Sequence, residues 1–193
     1  MFEEPFVDYA TTRNRALELD AAENNAAYQL MLSGDEYLRE GGKLRSILET
    51  ADETVDLFRL RVEIQHEESS TFQPRIFRTG SAWKYAGKIH EVPYHPDPEA
   101  KQVPILGPWI EHVESDLENR LATIWEKHIP LLQAALEENP NDERSLIFLA
   151  QSYQALFAGF LPHEQKMYAA EAMALYQRRL EIPTGGDAER AQG

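Results

Sequence analysis

The chain has no cysteine among its 193 residues. A disulfide framework, a thiolate metal site and a cysteine nucleophile are therefore excluded. Long apolar runs are also missing, and none approaches the roughly 20 residues a helix needs to span a bilayer. The opening Met-Phe-Glu-Glu-Pro is acidic and lacks the basic start and apolar stretch of a secretory leader. Bases are scarce: 19 Lys and Arg stand against 33 Asp and Glu, a formal charge of −14. That balance disfavours nucleic-acid binding, which needs clustered Lys and Arg to neutralise phosphates. It equally disfavours docking on anionic lipid. No Gly-rich phosphate loop, zinc motif or Ser-His-Asp arrangement is visible. What is present is ordinary for a soluble globular protein, with 42% apolar and 27% charged residues. The length allows one sizeable core with a small appended unit. A cytoplasmic location is the expectation.

Asp8 is placed to cap a helix over residues 8–19. A polar, alanine-rich connection leads to the run Tyr28-Gln-Leu-Met-Leu32, read as a short strand buried on both faces and hence central in a sheet. Gly41 and Gly42 break the chain before a short helix over 43–51. Phe58, Leu60, Val62 and Ile64 alternate with Arg59, Arg61, Glu63 and Gln65, the clearest strand signal in the sequence. A polar loop begins at His66. Residues 75–78 and 83–89 read as a hairpin about residues 79–82.

Pro93, Pro96, Pro98, Pro104 and Pro108 mark residues 93–108 as an extended linker and a domain boundary. From about Ile110 the pattern turns helical, with Leu117, Leu121, Ile124, Leu131, Leu132, Ala135 and Leu136 at helical spacing and a kink or break at Pro130. Asn139-Pro140-Asn141-Asp142 caps a new helix, and a last one covers about 163–180. Residues 183–193 read as a disordered tail.

Three motifs carry chemistry: Thr12-Arg13-Asn14-Arg15-Ala16-Leu17, Ser33-Gly34-Asp35-Glu36 and Gly87-Lys88-Ile89-His90-Glu91. In this order they resemble the later half of a family 2 glycosyltransferase of the GT-A type, which carries an Arg-Asn helix, a strand ending in an Asp-x-Asp-Glu motif, and a Gly-x-Ile-His-Glu element. The C-terminal helices, with Phe148-Leu149-Ala150-Gln-Ser-Tyr153 and Tyr176, resemble tetratricopeptide-type helices. The resemblance implies an α/β fold: a partial GT-A-like mixed sheet with helices over 1–92, the Pro-rich linker 93–108, an all-α tetratricopeptide-like region over 109–182, and the tail. Ser33 stands where the family has its first acid. The family's nucleotide-gripping opening part is not found ahead of the Arg-Asn helix, so a partner polypeptide or a second copy is expected to supply those strands.

The same resemblance implies transfer of a sugar from a nucleotide-sugar donor to a glycan or protein acceptor. Asp35 and His90 would hold Mg²⁺ or Mn²⁺ at the departing diphosphate. Glu91 is the preferred base for the acceptor hydroxyl, with Glu36 next and Glu67 or Glu68 more distant. Arg13, Asn14, Glu36, Arg75, Arg78 and Trp83 would contact donor or substrate. For the arginines the other reading is ion pairing within an acidic protein, and for Trp83 it is core packing. His66, His95, His112, His128 and His163 lack metal-ligand spacing and read as structural. The rival function is a non-catalytic remnant serving as a binding or scaffold subunit.

Overall fold

Phe58, Leu60 and Val62 turn to one face of strand β3 (Leu57–Ile64), as a period of two requires, and all three are buried. The computed structural model describes residues 5–65, 70–113, 117–159 and 162–182. The chain divides into two compact units, 1–115 and 116–193. The expected disordered tail and the acids Glu67 and Glu68 lie outside the described residues.

The first unit is a mixed α/β structure. Helix α1 (Tyr9–Glu23) starts at Asp8, whose extended backbone and carboxylate make the N-cap. Asp8 Oδ1 accepts from the Thr11 amide at 2.7 Å, satisfying one of the unpaired first-turn donors. Strands β1 (Tyr28–Leu30), β2 (Glu36–Arg39), β3, β4 (Ser70–Arg78) and β7 (Gln102–His112) form one sheet in the order β1-β4-β3-β7-β2. All neighbours are antiparallel except β3 and β7. Strands β5 (Lys84–Ala86) and β6 (Val92–Tyr94) pair separately. Helix α2 (Leu44–Glu49) follows a 3₁₀ turn at Gly41–Lys43.

The core lies on both faces of the sheet. Leu44, Val55, Phe58, Leu60, Val62, Ile76, Ile105 and Ile110 form one cluster, and Ala10, Leu57, Phe77, Trp83 and Tyr85 another beneath α1. Tyr28 from one edge strand and Leu38 from the other pack on the same first cluster, so the sheet is curled. A flat sheet would hold its edges about 19 Å apart over four gaps of about 4.8 Å. Residues 31–35, which join β1 to β2, reach about 20 Å only when fully stretched. Curling removes that tension and carries this short crossing past β4 and β7. There the Met31 amide donates to the Arg75 carbonyl at 2.8 Å and the Val113 amide to the Asp35 carbonyl at 2.9 Å.

Several expectations are corrected. The 28–32 run is an edge strand, not a central one: only Gln29 of β1 is buried, its amide held by the Leu17 carbonyl at 2.7 Å. The expected hairpin of 75–78 with 83–89 does not form. β4 pairs with β3 and with β1, and β5 pairs with β6. The expected linker 93–108 contains most of β7, a strand inside the sheet. Proline forbids helix there but tolerates extended backbone at bulges. Pro104 faces Arg59 next to the β3–β7 register shift, and Gly107 takes a φ of 105° in the same stretch. The division between units consequently falls at 115/116, and Ile110 belongs to a strand.

The second unit is helical: α3 (Leu117–Thr123), a π turn (Ile124–His128), α4 (Ile129–Glu138), α5 (Glu143–Gly159) and α6 (Pro162–Glu181). Pro130 sits at the start of α4 just after the π turn, where the ring needs no helical amide donor. Asp142 accepts from the Ser145 amide at 3.2 Å and begins α5. Glu143 meets Arg179, and Tyr153 stacks on Tyr168 with centroids 6.2 Å apart, so α5 and α6 run antiparallel. No helix among the described residues is long and apolar enough to cross a membrane.

Leu60 is fully buried at the centre of the first cluster. Leu60→Ala should lower unfolding free energy by about 2–5 kcal/mol. Denaturant unfolding followed by circular dichroism measures this, and a change below about 1 kcal/mol would place Leu60 outside the cooperative core.

Candidate functional site

The 31–35 crossing, the first turns of α1 and the turn after β5 meet beside β4. Arg13 projects from α1 because Asn14, its neighbour, is anchored to backbone. Asn14 Nδ2 donates to the Tyr85 carbonyl at 2.9 Å, and the Tyr85 amide donates to Asn14 Oδ1 at 2.7 Å. The side chain thus imitates a strand partner and fixes α1 against β5. Arg13 Nε then donates to Glu91 Oε1, and Arg13 Nη2 to Ser33 Oγ at 3.1 Å. Its guanidinium carbon lies 5.4 Å from the centroid of the Tyr85 ring.

Ser33 continues the network. Its amide donates to Glu36 Oε2 at 2.9 Å, and Glu36 Oε1 accepts from Arg75 Nη2 at 2.6 Å. Arg75 Nη2 also donates to Gln73 Oε1 at 2.8 Å. The Glu36 side chain is only 4% exposed and that of Arg75 10%. His112, paired with Glu36 across β2 and β7, holds Nδ1 3.9 Å from Asp35 Oδ1 and 4.0 Å from Glu36 Oε1. Asp35 is half exposed.

Of the residues singled out in the sequence, Arg13, Glu36, Arg75 and Glu91 join this network, with Asp35 at its edge. Asn14 serves it from outside by holding α1. His90 directly precedes Glu91 with an exposed side chain and a left-handed φ of 48°, a conformation that histidine adopts more readily than most residues. Arg78 lies elsewhere: it pairs with Asp56 at 3.0 Å, covers the Tyr28 ring at 4.9 Å, and rims a groove of about 680 Å³ between β1 and α2. Trp83 is buried in the cluster beneath α1, its ring 5.0 Å from that of His95. Among the described residues no group of three or more His, Asp or Glu side chains is arranged to hold a metal ion. Glu36, the acid next to Asp35, is committed to Arg75 and the Ser33 amide.

Sequence reasoning missed Tyr85 and His112, and took Ser33 only as a departure from the family's acid. Tyr85 lies inside the 83–89 segment, but its sequence neighbours give no sign that its phenol is buried beside two ion pairs. His112 was set aside for want of local spacing, and only strand pairing brings it opposite Glu36. Burial is the first cause that pushes the Tyr85 phenol up to about 12, and the carboxylates of Glu91 and Glu36 add to it against the opposing pull of Arg13 and Arg75. Tyr85 is therefore a neutral O–H donor at physiological pH. Burial and Glu91 likewise raise the Tyr9 phenol.

Two outcomes follow from this geometry. Arg75→Met strands a buried Glu36 carboxylate and should destabilise by about 3–5 kcal/mol, whereas Arg75→Met with Glu36→Leu should recover most of the loss. Chemical denaturation of the three proteins checks this, and equal losses in the single and double variants would contradict it. Because the folded phenol of Tyr85 titrates above the unfolded one, its contribution is full below pH 10 and is lost as pH rises from 10 to about 12. Stability measured against pH should fall across that window, and Tyr85→Phe should flatten the fall. No protein-family model matches this chain, and no curated protein matches it either.

Proposed function

We propose that the chain is a glycosyltransferase of the GT-A type, family 2, moving a sugar from a nucleotide-sugar donor to a glycan or protein acceptor. One observation carries this reading: Arg13 bonds both Ser33 and Glu91. Those residues come from the three motifs on which the resemblance rests, separated by 20 and 78 positions from Arg13. Chance matches have no reason to converge on one guanidinium. A shared site does.

In this reading Arg13 grips Glu91 Oε1 and leaves Oε2 to take the proton of an acceptor hydroxyl. The hydroxyl oxygen then bonds to the anomeric carbon, while the carbon–oxygen bond to the diphosphate breaks and the diphosphate leaves with the electron pair. Asp35 and His90 would hold Mg²⁺ or Mn²⁺, which would neutralise the departing charge with water and the donor's own phosphate oxygens completing its shell. The outer side of β1 has no strand partner among the described residues, and the partner polypeptide or second copy supplying nucleotide-binding strands is assigned to that edge. The helical unit is read as tetratricopeptide-like and as a surface for protein contacts.

The second reading, a non-catalytic binding or scaffold subunit, is favoured by the Arg13–Glu91 pair itself, which gives the acid a permanent cationic partner. Release of nucleoside diphosphate from a panel of nucleotide sugars, with Mg²⁺ or Mn²⁺ present, separates the two. Glu91→Gln should lower that release by about 10²-fold or more, the usual contribution of a positioned base. Binding of donors without any release, in wild type and variant alike, would leave the second reading standing.

A further inference from the structure

A small cavity of about 120 Å³ lies where α1 meets the turn between β4 and β5. Asn14, Leu17, Glu18 and Ala21 form its α1 wall, spaced as one face of a helix requires. Phe77, Arg78, Trp83 and Lys84 stand on the other side, with Gln29 between. Most polar groups on this wall are engaged. Asn14 holds the Tyr85 backbone at both ends of its amide, and Gln29 donates to the Leu17 carbonyl. Arg78 pairs with Asp56, and Glu18 meets Arg15 at 3.5 Å. Two groups are not. Trp83 Nε1 is buried without a hydrogen-bond partner, on a residue only 6% exposed. The Lys84 ammonium has no acidic partner among the described residues, in a chain with 33 acids to 19 bases.

Those two groups define what would fill the space. A buried donor left unmade bears its full desolvation, and native proteins complete such groups with protein, water or ligand. The cavity is several times the roughly 30 Å³ that one liquid water takes, so it has room for more than a single solvent molecule. An indole N–H only donates, and an ammonium only donates. The occupant therefore presents an acceptor. Charge narrows it further. Arg78 and Glu18 are each matched by a residue outside the cavity, which leaves Lys84 as one unbalanced positive charge. One negative charge offsets it, whereas a phosphate dianion would leave a surplus beside Glu18. Leu17, Ala21 and Phe77 add apolar surface. A carboxylate on a short hydrocarbon chain meets all three requirements.

We propose that this cavity binds a short-chain monocarboxylic acid. Its carboxylate accepts from Trp83 Nε1 and Lys84 Nζ, and its alkyl part lies against Leu17, Ala21 and Phe77. The site is built from α1 and the turn after β4, apart from the Arg13–Glu91 cluster, and it stands independently of the transferase reading.

The Trp83 indole is its own reporter. A proton–nitrogen correlation spectrum of the full chain carries three indole signals, and Trp83→Phe identifies the one from residue 83. Acetate, propionate and lactate are the probes, with acetamide as the uncharged counterpart and inorganic phosphate as the competitor. At least one acid should move the Trp83 signal saturably at millimolar concentration, while the signals of Trp109 and Trp125 stay in place. Acetamide should bind far more weakly, and phosphate at equal ionic strength should not displace the acid. Lys84→Met, at an exposed position, should weaken binding severalfold with the melting temperature unchanged. Ala21→Leu fills the cavity from a helix that tolerates leucine and should abolish binding. No saturable movement with any of the acids means that water alone occupies the cavity, and overturns the proposal. An equal response to acetamide, displacement by phosphate, or undiminished binding in either variant overturns it too.

Discussion

Glu36 is the carboxylate around which this end of the first unit is organised. It is almost wholly buried, and a buried carboxylate persists only where donors surround it. One oxygen takes Arg75 from β4 and the other takes the Ser33 amide from the crossing between β1 and β2. That second bond fixes Ser33, whose hydroxyl receives Arg13, and Arg13 in turn orients Glu91. A single desolvated charge thus ties a helix, a crossing, a strand and a turn into one polar cluster. The strong dependence of such a pair on both partners makes the cluster all-or-none.

The sheet makes that arrangement affordable in chain length. Only five residues separate β1 from β2, yet these are the two edges of a five-stranded sheet. Curling brings the edges within reach and draws the crossing over β4 and β7. Register shifts serve the same end, at Phe58/Arg59 opposite β4 and between Arg59 and Arg61 opposite β7. Both lie near prolines, Pro74 and Pro104, which cannot donate to a ladder and are accommodated where pairing is interrupted.

Local rules were reliable for helix caps and for the period of a strand. Asp8 caps α1 and Asp142 caps α5, and the alternation of residues 58–65 gives the strand and its buried face. They failed where the partner is distant. Apolar composition at 28–32 suggested a central strand, but position in a sheet depends on which strands pair, and β1 has β4 on one side alone. Five prolines suggested a linker, because proline excludes helix by a local clash, while its tolerance at a bulge is a property of the neighbouring strand. The arginines illustrate both sides. Arg78 makes the ion pair that an acidic protein offers, as do Arg13 and Arg75, but the latter two do so in one cluster with Tyr85 beside them.

The sequence by itself determined the caps, the period-two strand, the α/β-then-helical order and the three motifs, since each is written in residues close enough to interact before the chain folds. Only the tertiary structure decided that residues of those motifs meet in one polar cluster, and that Glu36 and Glu91 are matched by Arg75 and Arg13. Ion pairs spanning 39 and 78 positions have no local signature. They exist because a curled sheet closes the distance, and because burial then makes any charge left without a partner too costly to keep.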